Sequence, residues 1–309
     1  MEIFNEETNR NEKYNDNTPS QGFFPRSELN DWLPIWEKIV FLLFGFIGMR
    51  LITMLVKRII ILTPLVVIKD GIATLTTFGS AFLNFLIYLI VILGFLAFLF
   101  FDRRKTYQRL FKDFAKPETY IWAAIGFGLV FASQTILGNL FNLIPWYGTG
   151  ANQDAVSKIT LAQPLLMIIT TVIFAPFVEE LTYRIGIVDT VGHKYKFRWL
   201  GIVASALLFG LIHIDIITPW MEMTEALAEG VSDISSYRYQ IYTELLSLLI
   251  YVSSGFALAF TYAKSGKIAS SMTSHMAVNI VSMISIFVSA AIQNGAATSS
   301  SSQMFFLGF

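Results

Sequence analysis

An all-α polytopic bundle of about 7 to 8 transmembrane helices is the fold class this sequence predicts, and three observations predict it. The 309 residues are 54% hydrophobic and only 14% charged, with a mean hydropathy of +0.59, far from the balance of an ordinary soluble domain. Apolar runs long enough to cross a hydrocarbon core recur along the chain, and in lipid a spanning segment must be a helix or part of a closed barrel. Lys and Arg are concentrated in alternate connections between those runs, as membrane topology requires.

Taken in order, residues 1–31 are polar, acidic-leaning and rich in Asn and Glu, which predicts a disordered tail and no cleavable signal peptide. Residues 32–118 form an N-terminal transmembrane region with a basic cytoplasmic connector. Its first apolar stretch, Ile39 to Ile68, is interrupted by Arg50, Lys57 and Arg58 and holds one or two spans; Ala73 to Phe101 is a cleaner one. The connector, Asp102 to Glu118, carries six basic and three acidic residues and belongs on the cytoplasmic surface. The core, 119–293, contains spans at Tyr120 to Ile144, Pro164 to Ile187, Trp199 to Ile217, Leu245 to Ala263 and Ile268 to Ile292. Residues 294–309 are a short Ser-rich tail.

Charge supports this order. With the connector inside, the connections around 188–198 and 264–267 are also inside, and the three hold eleven Lys and Arg. The opposite connections, 145–163 and 219–244, hold only Lys158 and Arg238, and the second carries Glu222, Glu225, Glu229, Asp233 and Glu244. All six tryptophans, Trp32, Trp36, Trp122, Trp146, Trp199 and Trp220, fall near predicted span ends. Formal net charge is zero, which argues against nucleic acid as a partner. The absence of cysteine excludes disulfides, thiol nucleophiles, thiolate zinc sites and lipidation on cysteine. No internal repeat supports an inverted-repeat transporter.

The costliest stretch lies in the run from Pro164 to Ile187: Glu179, Glu180 and Arg184 at membrane depth. On a helix Glu180 and Arg184, four apart, share a face and can neutralise each other, whereas Glu179 is rotated by roughly 100° and is left for chemistry. Two of the three histidines also fall within predicted spans. His213 follows Phe209 by one turn, and His275 precedes Asn279 by one turn. At about 1.5 Å of rise per residue, Glu179, His213 and His275 can meet at one depth in a tilted bundle. Taken singly, each has a plainer explanation. An intramembrane histidine can serve as interhelical glue, Glu180 with Arg184 can be a structural clasp, Phe209 can pack on a ring, and His193 beside Lys194 and Lys196 is interfacial. Together they suggest a carboxylate and an imidazole that activate one water, with a second imidazole and an amide donating to an oxyanion. The alternative is a zinc site of Glu179, His213 and His275, although the His-Glu-x-x-His helix of many zinc proteases is missing.

In this order and on separate spans, the three motifs resemble those of the CPBP family, which unites type II CAAX prenyl endopeptidases with bacterial Abi proteins. The pattern Glu-Glu-x-x-x-Arg is matched by Glu179, Glu180 and Arg184; Phe-x-x-x-His by Phe209 and His213; and His-x-x-x-Asn by His275 and Asn279. The resemblance covers about residues 120–290. It implies an all-helical intramembrane endopeptidase in which Glu179, helped by His213, activates water and His275 with Asn279 stabilises the oxyanion. Glu180 and Arg184 would organise the site. Members have been called metalloproteases, and a metal-independent glutamate mechanism is also proposed for them; the residue chemistry here favours the latter, with no cofactor and zinc as the alternative. The arginine is followed by Ile185 before Gly186, where many members have glycine at once, which implies a local difference in helix packing.

The resemblance further implies a membrane-associated protein or peptide as substrate and a multi-pass location in a bacterial plasma membrane, which argues against a prenylated substrate. Two other classes compete: a non-enzymatic scaffold or bacteriocin-immunity protein, and a proton-coupled transporter using Glu179 and His213 as a relay.

Overall fold

A computed structural model of the chain describes residues 23–25, 33–69, 72–101, 106–192 and 197–298. Trp32, His193, Ser299 to Ser302 and most of the N-terminal tail lie outside these residues. The described part is a helical bundle: α1 (Ile35–Ile60), a small hairpin of β1 (Val66–Lys69) and β2 (Ile72–Leu75), α2 (Thr77–Phe101), α3 (Thr106–Lys112), α4 (Pro117–Phe141), α5 (Ala151–Ala162), α6 (Pro164–Val191), α7 (Arg198–Leu211), α8 (Ile217–Ala228), α9 (Ser235–Ser265) and α10 (Ile268–Thr298). Six of these, α1, α2, α4, α6, α9 and α10, are long and apolar enough to span a membrane, and α7 is a shorter apolar helix. The chain is an integral multi-pass membrane protein.

The first apolar stretch resolves into one helix. Beyond Ile60, the Thr63 hydroxyl donates to the Ile60 carbonyl at 2.6 Å, and Pro64 cannot continue the helix. The β-branched run Val66, Val67 and Ile68 then suits a strand, and it pairs antiparallel with β2 in the register Val67↔Thr74. The second span accordingly starts at Thr77. At the other end of the chain, α9 and α10 are joined tightly because Gly266 takes a left-handed conformation (φ 67°) that ends α9.

Antiparallel α1 and α6 touch through glycine. A Cβ on Gly45 would stand 2.0 Å from Thr182 Oγ1, and one on Gly186 would stand 2.9 Å from the Leu42 backbone nitrogen. Gly186, one residue later than in many members of the family the sequence resembles, is the seat of α1. Gly45→Ala is expected to lower the thermal midpoint of the detergent-solubilised protein, at an overpacking cost of about 1–3 kcal/mol. Thr182→Ala should recover part of that loss in the double variant; equal midpoints for wild type and Gly45→Ala would contradict this packing.

Inner and outer faces differ as a bilayer demands. Phe41, Phe95, Leu99, Leu181, Ile185, Ile202 and Met272 are buried in the main core, while Leu93, Phe100, Leu200, Leu207, Leu211 and Ile284 are exposed on the outside. Inside the same bundle sit ion pairs with no solvent access, Glu180 with Arg184 and Asp189 with Arg198. The second pair ties α6 to α7, and the Tyr262 hydroxyl of α9 donates to Asp189 at 2.6 Å. Phe23 and Phe24, in the stretch expected to be disordered, differ from that expectation: Phe24 is buried, and both pack on Trp199 and Phe260.

Candidate active site

α6 carries the carboxylates, and its local sequence distorts it around them. Pro176 lacks an amide hydrogen, and the helix widens into π turns at Ile169–Phe174 and Leu181–Val188, on either side of Ala175–Glu180. In the first wide turn the Ala175 amide donates to the Thr170 carbonyl, five residues back. The next donor in that series would be Pro176, which has none, so the Thr171 carbonyl has no partner from it. Asn279 of α10 supplies the donor from its side-chain amide at 2.7 Å. In the second wide turn the Thr182 hydroxyl competes for the Val178 carbonyl at 2.7 Å.

Glu180 and Arg184 meet as their spacing predicts. Arg184 Nε donates to one Glu180 oxygen at 2.8 Å and Arg184 Nη2 to the other at 3.0 Å, and both side chains are fully buried. A third guanidinium nitrogen, Nη1, donates to Ser205 of α7 at 2.7 Å. The pair is thus closed on itself and anchored to a neighbouring helix, as a buried ion pair must be to offset desolvation. His275 of α10 approaches from the other side, with Nδ1 at 3.1 Å from Glu180 Oε1 and Nε2 at 3.8 Å from Glu179 Oε2. An Nδ1–H donating to Glu180 fixes the ring and turns Nε2 toward Glu179.

Glu179 points elsewhere, into a cavity of about 260 Å³. Phe209, His213, His275 and Asn279 line the same cavity, so the structure brings together the four residues chosen from the sequence and the phenylalanine between two of them. Glu180 and Arg184 stand behind it rather than in its wall. The Phe209 ring lies 4.5 Å from the His213 ring and 5.8 Å from that of His275, wedging the two imidazoles apart. His213 differs from expectation in one respect. α7 stops at Leu211, and the His213 amide bonds back to Gly210, so His213 sits in the turn beyond the helix. Its Nδ1 lies 2.6 Å from the Phe209 carbonyl; an Nδ1–H donating there leaves the Nε2 lone pair free.

Three residues that support the site are not evident from the motifs. Tyr88 of α2 donates its hydroxyl to Glu179 Oε1 at 3.2 Å. Tyr251 of α9 stacks on His213 at 4.8 Å and receives a hydrogen bond from Asn152 of α5. Glu244, counted in the sequence among acidic residues of an outer connection, is buried within α9; it accepts the amides of Ala151 at 2.6 Å and Asp215 at 3.0 Å. It thereby fastens the His213 turn to the start of α5, where a carboxylate also complements the helix dipole. A lone Tyr or Glu in an apolar helix signals cost at membrane depth, and that is the only sequence signal these residues give.

The alternative zinc site of Glu179, His213 and His275 gains no support from the side-chain positions. Among the described residues no group of three His, Cys, Asp or Glu side chains is placed to hold a metal ion. His275 Nδ1 faces Glu180, and His213 Nδ1 faces a backbone carbonyl.

Comparison with known proteins adds a family to this geometry. Residues 161–281, which contain all three motifs, match the family model described as type II CAAX prenyl endopeptidase Rce1-like. The match falls within the stretch in which the sequence resembles the CPBP family. The chain is 26% identical over 162 residues to a Bacillus subtilis (strain 168) protein named "Putative membrane peptidase YdiL", covering 52% of this chain and 53% of that protein. It is 30% identical over 89 residues to UPF0177 protein YvdC of Lactococcus lactis subsp. lactis (strain IL1403), covering 29% of this chain and 33% of that one. The chain thus spans about half the length of the first relative and a third of the second. No solved structure matches it. Tyr88 and the whole of α1 fall outside the matched residues, yet Tyr88 bonds Glu179 and α1 packs on α6 at Thr182 and Gly186.

Proposed function

We propose that this protein is an intramembrane endopeptidase that hydrolyses a peptide bond of a membrane-associated protein or peptide with a water activated by Glu179. The observation that carries the proposal is the convergence of Glu179, His213, His275 and Asn279, from three segments distant in sequence, on one cavity inside the bundle. The family match and the name of the Bacillus relative support the same reading.

The steps follow from the atoms present. Glu179, one oxygen held by the Tyr88 hydroxyl, takes a proton from a water that the free Nε2 of His213 also orients. The water oxygen attacks the peptide carbonyl carbon. The developing oxyanion is met by the second amide hydrogen of Asn279, whose first is spent on Thr171, and by His275 through Nε2 in its protonated form. Glu180 faces that imidazolium, and Arg184 holds Glu180 in place. As the C–N bond breaks, the proton held by Glu179 passes to the departing amine.

The test is direct. The full chain in proteoliposomes is expected to release new N-termini from membrane-anchored reporter peptides, and turnover is expected to survive exhaustive chelation with no stoichiometric zinc bound. Zinc at one per chain with chelator-sensitive turnover would overturn the water-activation scheme. Membrane proteomes of wild-type and Glu179→Ala cells, compared for uncut precursors, identify the substrate; unchanged proteomes with full cellular function would favour a scaffold or immunity protein.

A further inference from the structure

Glu179 and Tyr88 also line a second cavity, again about 260 Å³, whose other walls come from α1, α6 and the end of α7. The two cavities share those two residues only. The second one opens where α1 leaves α6: the helices are in contact at Gly45 and Thr182, and one turn further along α1, Met49, Arg50 and Thr53 face the space instead. Among the described residues Arg50 is the one Lys or Arg side chain lining either cavity. It lies 10 residues inside the nearer end of α1, about 15 Å along the axis. Among the described residues no ion pair or hydrogen bond holds its guanidinium.

We propose that this second cavity is a substrate subsite for a carboxylate, which Arg50 binds while the adjoining peptide bond lies at Glu179. The proposal rests on the endopeptidase reading above. A guanidinium offers a planar pair of N–H donors that match the two oxygens of a carboxylate. At membrane depth an unpaired arginine and an unpaired carboxylate are each costly, and pairing relieves both. The acid-bearing flank of the peptide would then enter between α1 and α6, on the side of Glu179 away from His213 and Asn279. The carboxylate comes from the end of a polypeptide or from an Asp or Glu side chain, and the experiment separates these sources.

Binding is measured on the full chain in nanodiscs, with Glu179→Gln to block turnover. The probes are three short fluorescent peptides of Ala, Leu and Ser: one with a free C-terminus, one amidated, and one amidated with a penultimate Asp. The free acid is expected to bind about 10-fold tighter than the amide, the size of effect a charge-assisted hydrogen bond gives. Arg50→Gln should erase that preference while leaving amide binding unchanged, and Arg50→Lys should retain part of it. Tight binding of the Asp peptide would assign the carboxylate to a side chain, and weak binding would assign it to the terminus. Failure of both acidic peptides to bind better than the amide overturns the subsite, as does a preference that survives Arg50→Gln. An equal loss for all three peptides makes Arg50 a structural or lipid-anchoring residue and also overturns it. Carboxylate preference in a protein that cleaves no peptide would defeat the endopeptidase reading alone, and cleavage without preference would defeat the subsite alone.

Discussion

Glu179→Gln is expected to lower kcat/KM for peptide cleavage by about 10²- to 10⁴-fold, the contribution typical of a positioned general base, with little change in thermal midpoint. The isosteric amide still offers an oxygen to the Tyr88 hydroxyl, so the side chain can keep its place in the cavity wall. What it loses is the capacity to accept a proton from water. The Glu180–Arg184 pair one residue on does not depend on Glu179, because its two hydrogen bonds and the Ser205 contact are made among themselves. Tyr88→Phe, which removes the hydroxyl that holds Glu179, should cost much less than Glu179→Gln and leave the proton acceptor intact. Single-turnover rates in proteoliposomes, alongside thermal midpoints, decide the matter. Glu179→Gln retaining activity within about threefold of wild type would remove Glu179 from the chemistry, since a positioned general base typically contributes about 10²-fold or more.

The helical class, the order of the long apolar helices and the Glu180–Arg184 pair were legible in the sequence because each rests on short-range rules. Four-residue spacing brings Glu180 to Arg184, and sustained apolar runs mark α2, α4, α6, α9 and α10. Features decided by long-range contacts were not legible. Whether Ile39 to Ile68 made one span or two turned on Pro64 and a β-branched run that a hydropathy window averages away. The tie from Asn279 to Thr171 needs a wide helical turn and a proline, 108 residues away in sequence, to free a carbonyl. Tyr88 is reachable only once α2 is known to lie against α6. Glu244 falls in an acidic stretch that composition assigns to an outer connection, because glutamate is mostly exposed, whereas here two backbone amides draw it inside.

Arg184→Gln should be the most destabilising single change at the site, costing about 3–5 kcal/mol, because it strands the fully buried Glu180 carboxylate without its counter-charge. Three hydrogen bonds are lost at once, two to Glu180 and one to Ser205. His275 remains beside Glu180, but an imidazolium alone replaces neither the bidentate geometry nor the link to α7. The double variant Glu180→Gln with Arg184→Gln removes both charges and should recover much of the stability, since a neutral pair carries no uncompensated ion. Recovery of fold without recovery of activity is the expected outcome. Gln at position 180 no longer supplies the charge that balances a protonated His275, so oxyanion stabilisation falls even in a well-folded protein. Denaturant titration in detergent gives the stabilities, and peptide cleavage by the same preparations gives the rates. If Arg184→Gln is no less stable than the double variant, the pair's charges are not what holds α6 to its neighbours. If the double variant also regains full activity, Glu180 has no part in setting the state of His275.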